Sequence, residues 1–595
     1  THSFIYHDDH TIVFDADRNM TIYRYSPQAQ LTAIERYTSS SETPHALYSK
    51  EVFFWSAPKD NIPSRFIGHG LAAANEEIKT YTSYVYDEEG NLVEEILYGN
   101  LTGECTATIK LNDKGVPADN GIETARTTYE YQRLKKEGPF VLTKKTTPNG
   151  LTTQYLYEIE SGRQLAIFLC EGYAIRVRQF YFYNQDGLLI KTVSDDGDSI
   201  NSDDTAAVTE RHIVHITLRE EAPAIGMPAT VTECYAENGT GGESVQKKTV
   251  YTYADDGQLA RQEVYDGNGG LIGTIEQEYD EQGRCIRSVD ANGSSQEHQY
   301  DAVGNIIKTI EKDETGNFRV IKNQYDFSNR LIHTEETTET GSTVSSRFQY
   351  NKLSQKIASI DSYGNETLYS YDSFSRLTRL THPEVRSEKG NWYHPSVINR
   401  YDIFGNIIST IDPSGYETHS LYNSRKMPVE VLYPNVTREK YLYHKDGSLH
   451  KHYQKNGMSV VTQNDFLGRN TLTEYYGSDG ALLYTITNEY SSFHLIRTTD
   501  SRGIELLYEY HSNGKQAAVT RTSGSSSQRT EYFYDSQGRL NQQKEWMGED
   551  AYGFTLTINE YDAKGNIVET RIEDAGGNIL RQTKIEKEEA PKAKA

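Results

Sequence analysis

Three observations on the sequence predict an all-β fold, a long antiparallel meander of hairpins. Tyrosine is far above its usual share, with 45 copies against 18 phenylalanines and 3 tryptophans. A short segment, Tyr-Asp-x-x-Gly-(Arg/Asn)-(Leu/Ile), recurs along the chain. Between its copies lie runs rich in Thr, Tyr, Val and Ile that alternate with period two, as pleated strands do.

The recurring segment defines the elements. Full copies stand at Tyr86-Asp87-x-x-Gly90, Tyr300-Asp301-x-x-Gly304, Tyr401-Asp402-x-x-Gly405, Tyr534-Asp535-x-x-Gly538 and Tyr561-Asp562-x-x-Gly565, and Tyr279-Asp280-x-x-Gly283 is a further good copy. Degenerate copies follow Tyr183, Tyr253, Tyr325, Tyr350, Tyr371, Tyr422, Tyr443, Tyr490 and Tyr510. From Tyr253 to Tyr561 the anchors lie about 24 residues apart on average, a period that signals a repeat architecture. Asp accepts from turn amides, Gly supplies positive φ, and Arg or Asn opens the returning strand. A second turn falls midway in the short units, as at Asp290-Ala-Asn-Gly293, Asp361-Ser-Tyr-Gly364 and Asp412-Pro-Ser-Gly415. Each unit then holds two turns and two strands. Tyr-x-Tyr immediately before the turn, as in Tyr84/Tyr86 and Tyr532/Tyr534, puts two rings on one strand face.

The rest of the chain divides around this array. Residues 1–80 form an irregular β-rich N-terminal segment, 81–250 degenerate repeats with loops, 251–585 the regular repeats, and 586–595 a polar, disordered tail. The stretch from Ala57 to Asn75, with Pro58, Pro63, Gly68 and Gly70, reads as a long loop, and Asp195 to Asp204 as an acidic one. Pro383 to Pro395, with Trp392 and His394, reads as an inserted loop within one unit.

Composition excludes several classes. The chain has 595 residues, only 36% of them hydrophobic, and a net charge of −24. That diffuse negative charge disfavours a general nucleic-acid binder. No apolar run is long enough for a membrane-spanning helix, and the first ten residues lack a signal-peptide pattern. The N-terminal residue is Thr1, so the chain is expected to be an excised or processed segment. The four cysteines, Cys105, Cys170, Cys234 and Cys285, stand singly, neither a zinc motif nor a disulfide framework.

Tandem Tyr-Asp-x-x-Gly-Arg-Leu at this period resembles the RHS, or YD-repeat, family of bacterial Rhs toxins and of the B and C components of insecticidal toxin complexes, and more distantly the teneurins. The resemblance covers Tyr251 to Ile567 and in part Tyr84 to Tyr183. It implies a β-ribbon that spirals into a hollow shell or barrel, a β-cocoon, with anchor tyrosines stacked between neighbouring strands. Sheet physics agrees, because a ribbon of so many strands twists and curls. The core segment that ends the bacterial shells, with its DPxGL-like motif and aspartates, has no counterpart after Ile567. No self-cleaving residue can therefore be assigned. The resemblance further implies a structural, non-enzymatic shell of a secreted bacterial toxin system that sequesters a toxic polypeptide, carried on the same chain or by a partner subunit. The expected location is secreted or at the cell surface. The alternative is an adhesion or recognition protein using the barrel as scaffold.

Other motifs weigh less. Asp195, Asp196, Asp198, Asp203 and Asp204 are the best candidates for a cation loop, against the plainer reading of turn-forming carboxylates. His212-x-x-His215 and His450-x-His452 have ligand-like spacing but lack a third ligand in sequence. Gly267-Asn-Gly269-Gly270-Leu-Ile-Gly273 departs from the dinucleotide-loop spacing and reads as a hairpin turn. No catalytic residue, cofactor or metal is expected.

Overall fold

The computed structural model describes residues 2–584 except 17, 39–45, 59–62, 119, 240, 389, 548–552 and 563–564. The expected disordered tail lies outside the described residues. Among these residues the fold is all-β, with one 45-stranded sheet and one separate two-stranded hairpin. A single short 3₁₀ turn, Glu237–Gly239, is the only helical element described.

Every main-sheet strand pairs antiparallel with the next in the chain, from Ser3–Tyr6 paired with His10–Phe14 to Ile567–Asp574 paired with Ile579–Lys584. The sheet runs unbroken through the expected boundaries at 80/81 and 250/251. In the N-terminal region Tyr25 already closes an anchor-type turn, with Ser26 N–H donating to the Gln30 carbonyl at 2.8 Å and Ala29 N–H to the Ser26 carbonyl at 2.9 Å. The two-stranded hairpin, Val385–Arg386 with Trp392–Tyr393, is the insertion between Leu377–Thr381 and Ser396–Tyr401.

The expected loop from Ala57 to Asn75 is corrected in its second half. Phe66–Ala73 is a strand, paired with Ala46–Trp55 and Ile78–Tyr86. Its glycines, loop signals in the sequence, make room here for a ring. A Cβ on Gly68 would lie 1.7 Å from the Tyr81 hydroxyl oxygen, and one on Gly70 3.0 Å from the same ring. Asp195 is likewise the last residue of the strand Leu189–Asp195 and fully buried, not part of a loop.

The sheet is a thin wall. The chain exposes 34718 Å², whereas a compact protein of its 67.6 kDa mass exposes about 21,000 Å². One buried cluster stands out, Ala166, Phe168, Cys170, Phe180, Val193, Ile213 and Cys234 on consecutive strands. Elsewhere most strand residues are half-buried on both faces.

Candidate functional site

Each repeat turn is a type I turn closed by a one-residue bulge at positive φ, in most units a glycine. At Asp280 the backbone N–H donates to the Arg284 carbonyl at 3.0 Å, and Gly283 N–H donates back to the Asp280 carbonyl at 2.9 Å. The Asp280 Oδ1 accepts the N–H groups of Gln282 at 3.0 Å and Arg284 at 2.9 Å. The Arg284 side chain, followed by these amides, holds the Asp280 carboxyl below its ordinary range. Asp301, Asp402, Asp535 and Asp562 make the same bond to the N–H four residues on, at 2.8–2.9 Å. Asp87 does so with Asn91 at 2.8 Å. Gly90, Gly283, Gly304, Gly405, Gly538 and Gly565 all sit at positive φ, between 78° and 101°, where a side chain costs about 1–2 kcal/mol.

Where a unit lacks glycine, that cost is present: Asn329, Ser354, Ser375, Lys426 and Val436 hold φ between 59° and 64°. Val436 is the worst suited, because β-branched residues avoid this region. Val436→Gly is therefore expected to stabilise the chain by about 0.5–1 kcal/mol, seen as a raised midpoint of thermal unfolding.

The anchor tyrosine does more than stack. Its hydroxyl donates to a main-chain carbonyl of the preceding unit: Tyr86 to Phe66 at 2.8 Å, Tyr279 to Leu259 at 3.0 Å and Tyr300 to Cys285 at 2.7 Å. Tyr401 reaches Leu377 at 2.7 Å, Tyr534 reaches Gln516 at 3.0 Å and Tyr561 reaches Leu540 at 2.6 Å. The degenerate anchors at Tyr325, Tyr350, Tyr371, Tyr422, Tyr443, Tyr490 and Tyr510 make the same bond. The acceptor is the first residue of the returning strand, Cys285 for instance pairing with Tyr279 across a register shift. Each tyrosine thus ties the bulge of one unit to the next. Tyr401→Phe keeps the ring and removes only this bond, so it is expected to cost about 1 kcal/mol in denaturant unfolding.

Sequence reasoning placed the motif arginine at the start of the returning strand but missed its contact with the next anchor ring. Arg284 lies over the Tyr300 ring at 4.6 Å, Arg376 over Tyr401 at 4.7 Å and Arg539 over Tyr561 at 4.6 Å. The same guanidinium donates to the next turn's carbonyl, Arg376 to Asp402 at 2.8 Å. A cation over an aromatic face contributes about 0.5–1 kcal/mol at such half-exposed sites. In the units that carry it, the arginine therefore joins the aspartate of its own turn to the anchor tyrosine of a following one as a clasp.

Contacts between residues hundreds of positions apart show the ribbon winding past itself. Tyr48 donates to the Asp402 carbonyl at 2.7 Å, and Asn423 Nδ2 to the Leu101 carbonyl at 2.8 Å. Ser424 N–H donates to the Asn100 carbonyl at 2.8 Å. Asn149 Nδ2 donates to the Phe466 carbonyl at 3.0 Å, Ser492 Oγ to the Arg176 carbonyl at 2.6 Å, and His494 Nε2 meets Glu210 Oε2 at 2.8 Å. Nearly all of these partners in the later winding are anchor turns, and each meets the opposite edge of the ribbon in the earlier winding. Counted in strands, one winding takes about 24, which at about 4.8 Å per strand gives a wall about 37 Å across.

The acidic loop is wrapped around a cation of the protein itself, Arg178 on the strand Ala174–Tyr183. Fully buried Arg178 pairs with Asp195 and donates to the carbonyls of Ser199 at 2.7 Å, Asn201 at 2.9 Å and Asp204 at 2.6 Å. Asp196 accepts from Thr209 N–H at 2.8 Å and Glu210 N–H at 3.1 Å, while Asp198 and Asp203 stay outside this cage. His212 and His215, three apart on one strand, face opposite sides of the wall. His212 meets Glu210 at 2.6 Å, and His215 meets Glu243 at 2.6 Å. His450 packs on His444 with ring centroids 4.5 Å apart, and His452 stacks on Tyr441 at 4.4 Å. Asp266-Gly267-Asn268-Gly269-Gly270 is the expected hairpin turn.

A family model described as RHS Repeat matches residues 279–317. No curated protein sequence matches the chain. Among solved structures, TcdB2-TccC3 without its hypervariable C-terminal region superposes with a TM-score of 0.67 at 12% identity, over 95% of this chain and 34% of that one. A second structure, TcdB2-TccC3-TEV, gives 0.44 at 12% identity over 96% of this chain and 35% of that one. The chain thus spans about a third of the length of the structures it matches.

Proposed function

We propose, on the premise that this chain belongs to the RHS-repeat family, that it is a non-enzymatic wall segment of a toxin-complex shell that sequesters a toxic polypeptide. The observation that carries the reading is the edge-to-edge closure of successive windings, Asn423 on Leu101 and Ser492 on Arg176 among them. A ribbon sealed against itself excludes proteases and cytoplasm without any chemical step. With a wall about 10 Å thick, the space inside is about 25 Å wide, enough for an extended or small folded chain. The turn carboxylates are engaged by turn amides and arginines, which leaves them poorly placed for acid–base work. The partner is the passenger polypeptide or the remaining part of the shell, and the setting is extracellular delivery.

The test is protease protection. A passenger produced together with this wall and the rest of its shell should resist a protease that digests the free passenger. Equal digestion rates for enclosed and free passenger would overturn the reading. One feature favours adhesion as a second reading: the inserted hairpin carries Trp392 and Tyr393 at 63% and 46% exposure. Deleting residues 383–395 should abolish cell-surface binding if the hairpin is a recognition element, and leave it unchanged if the chain is a shell alone.

A further inference from the structure

His215, Cys234 and Glu243 lie on three consecutive strands, Arg211–Leu218, Pro228–Ala236 and Glu243–Tyr253. Ile213 pairs with Cys234 and His215 with Thr232, while Ala236 pairs with Glu243. The three side chains therefore share one face, as diagonal neighbours across adjacent strands. An imidazole nitrogen, the thiol sulfur and a carboxylate oxygen all lie within 4.8 Å of one another. His215 Nε2 and Glu243 Oε2 are 2.6 Å apart, and Lys191 Nζ stands 3.5 Å from Glu243 Oε1. The ligand-like histidine spacing in the sequence pointed to the right residue for the wrong reason: His212 faces away, and the remaining donors come from neighbouring strands.

We propose that His215, Cys234 and Glu243 form a binding site for a Zn(II)-class divalent cation, with water in the fourth position. The mixed nitrogen, sulfur and oxygen set suits zinc or cobalt(II), while calcium and magnesium take oxygen alone. Donors in a tetrahedral zinc site stand about 3.3–3.7 Å apart, so rotamer changes suffice to close this set. The strands that present them are already fixed by pairing on both sides. Cys234 is 5% exposed, at the edge of the buried cluster. His215 and Glu243 are about 40% exposed, which gives a dry floor and an open mouth. On binding, the thiol proton passes to solvent, the His215–Glu243 contact opens and the Lys191 ammonium swings off Glu243.

The purified full chain, treated with chelator and then titrated with zinc chloride and cobalt(II) chloride, tests this. One equivalent of zinc should bind, and cobalt should give a thiolate charge-transfer band with tetrahedral d–d intensity. Cys234→Ser should abolish that band, and His215→Ala and Glu243→Gln should weaken zinc binding by more than about tenfold. Cys170→Ser, which keeps all three donors, should leave band and stoichiometry unchanged, and Lys191→Ala should bind at least as tightly as the parent. Should Cys234→Ser fail to fold, Glu243→Gln at the exposed mouth decides. No band in the parent chain, or unchanged zinc affinity in both His215→Ala and Glu243→Gln, overturns the proposal.

Discussion

Asp195→Ala is expected to destabilise the chain by about 3–5 kcal/mol, the range for removing one partner of a buried ion pair. Arg178 and Asp195 are both fully buried, and the guanidinium also organises the carbonyls of Ser199, Asn201 and Asp204. Without the carboxylate, a buried cation faces only carbonyl dipoles, and the segment from 196 to 210 loses the centre around which it is wrapped. The denaturant midpoint should fall, and that segment should become the first site of proteolysis. The double variant Arg178→Met with Asp195→Leu removes both charges and should recover much of the stability, although not the order of the loop. A loss below about 1 kcal/mol in Asp195→Ala would mean that the pair is not shielded from water.

Gly68→Ala is expected to cost about 2–4 kcal/mol. The added methyl would meet the Tyr81 hydroxyl and ring carbon at 1.7 and 2.4 Å, and Tyr81 has nowhere to go. The ring is fully buried, and its hydroxyl donates to the Gly115 carbonyl at 2.6 Å. Overpacking costs about 1–3 kcal/mol, and the lost hydrogen bond adds about 1 kcal/mol. Gly68→Ala combined with Tyr81→Phe removes the atom that clashes first and should be less destabilised than the sum of its parts. Strict additivity in thermal unfolding would place Gly68 and Tyr81 apart.

The repeat was legible because its signals are local. Tyr-Asp-x-x-Gly holds the turn, its bulge and its positive φ within five residues, so both turns of each unit could be placed by spacing. The tyrosine staple was not legible, since its acceptor is a main-chain carbonyl such as Cys285 or Leu540 and leaves no residue signature. Gly68 and Gly70 misled because glycine marks both a loop and a strand crossed by a large ring, and only Tyr81 distinguishes them. Arg178 lies 17 residues before Asp195, in a region where the motif has decayed. The seam was furthest from reach: Ser492 meets Arg176 at a separation of 316 residues and Tyr48 meets Asp402 at 354, with no pattern linking either pair. The fold class followed from periodicity, whereas the closure on which the proposed function rests depends on contacts between windings.

Cryo-electron microscopy of this chain together with the proposed passenger and any partner part of the shell distinguishes a sealed wall from a solid fold. The expected result is a wall one sheet thick, about 24 strands to the winding, with anchor turns seated on the opposite edge of the previous winding and passenger density inside. A sheet folded into a solid sandwich, or a passenger lying wholly outside a closed wall, would contradict it.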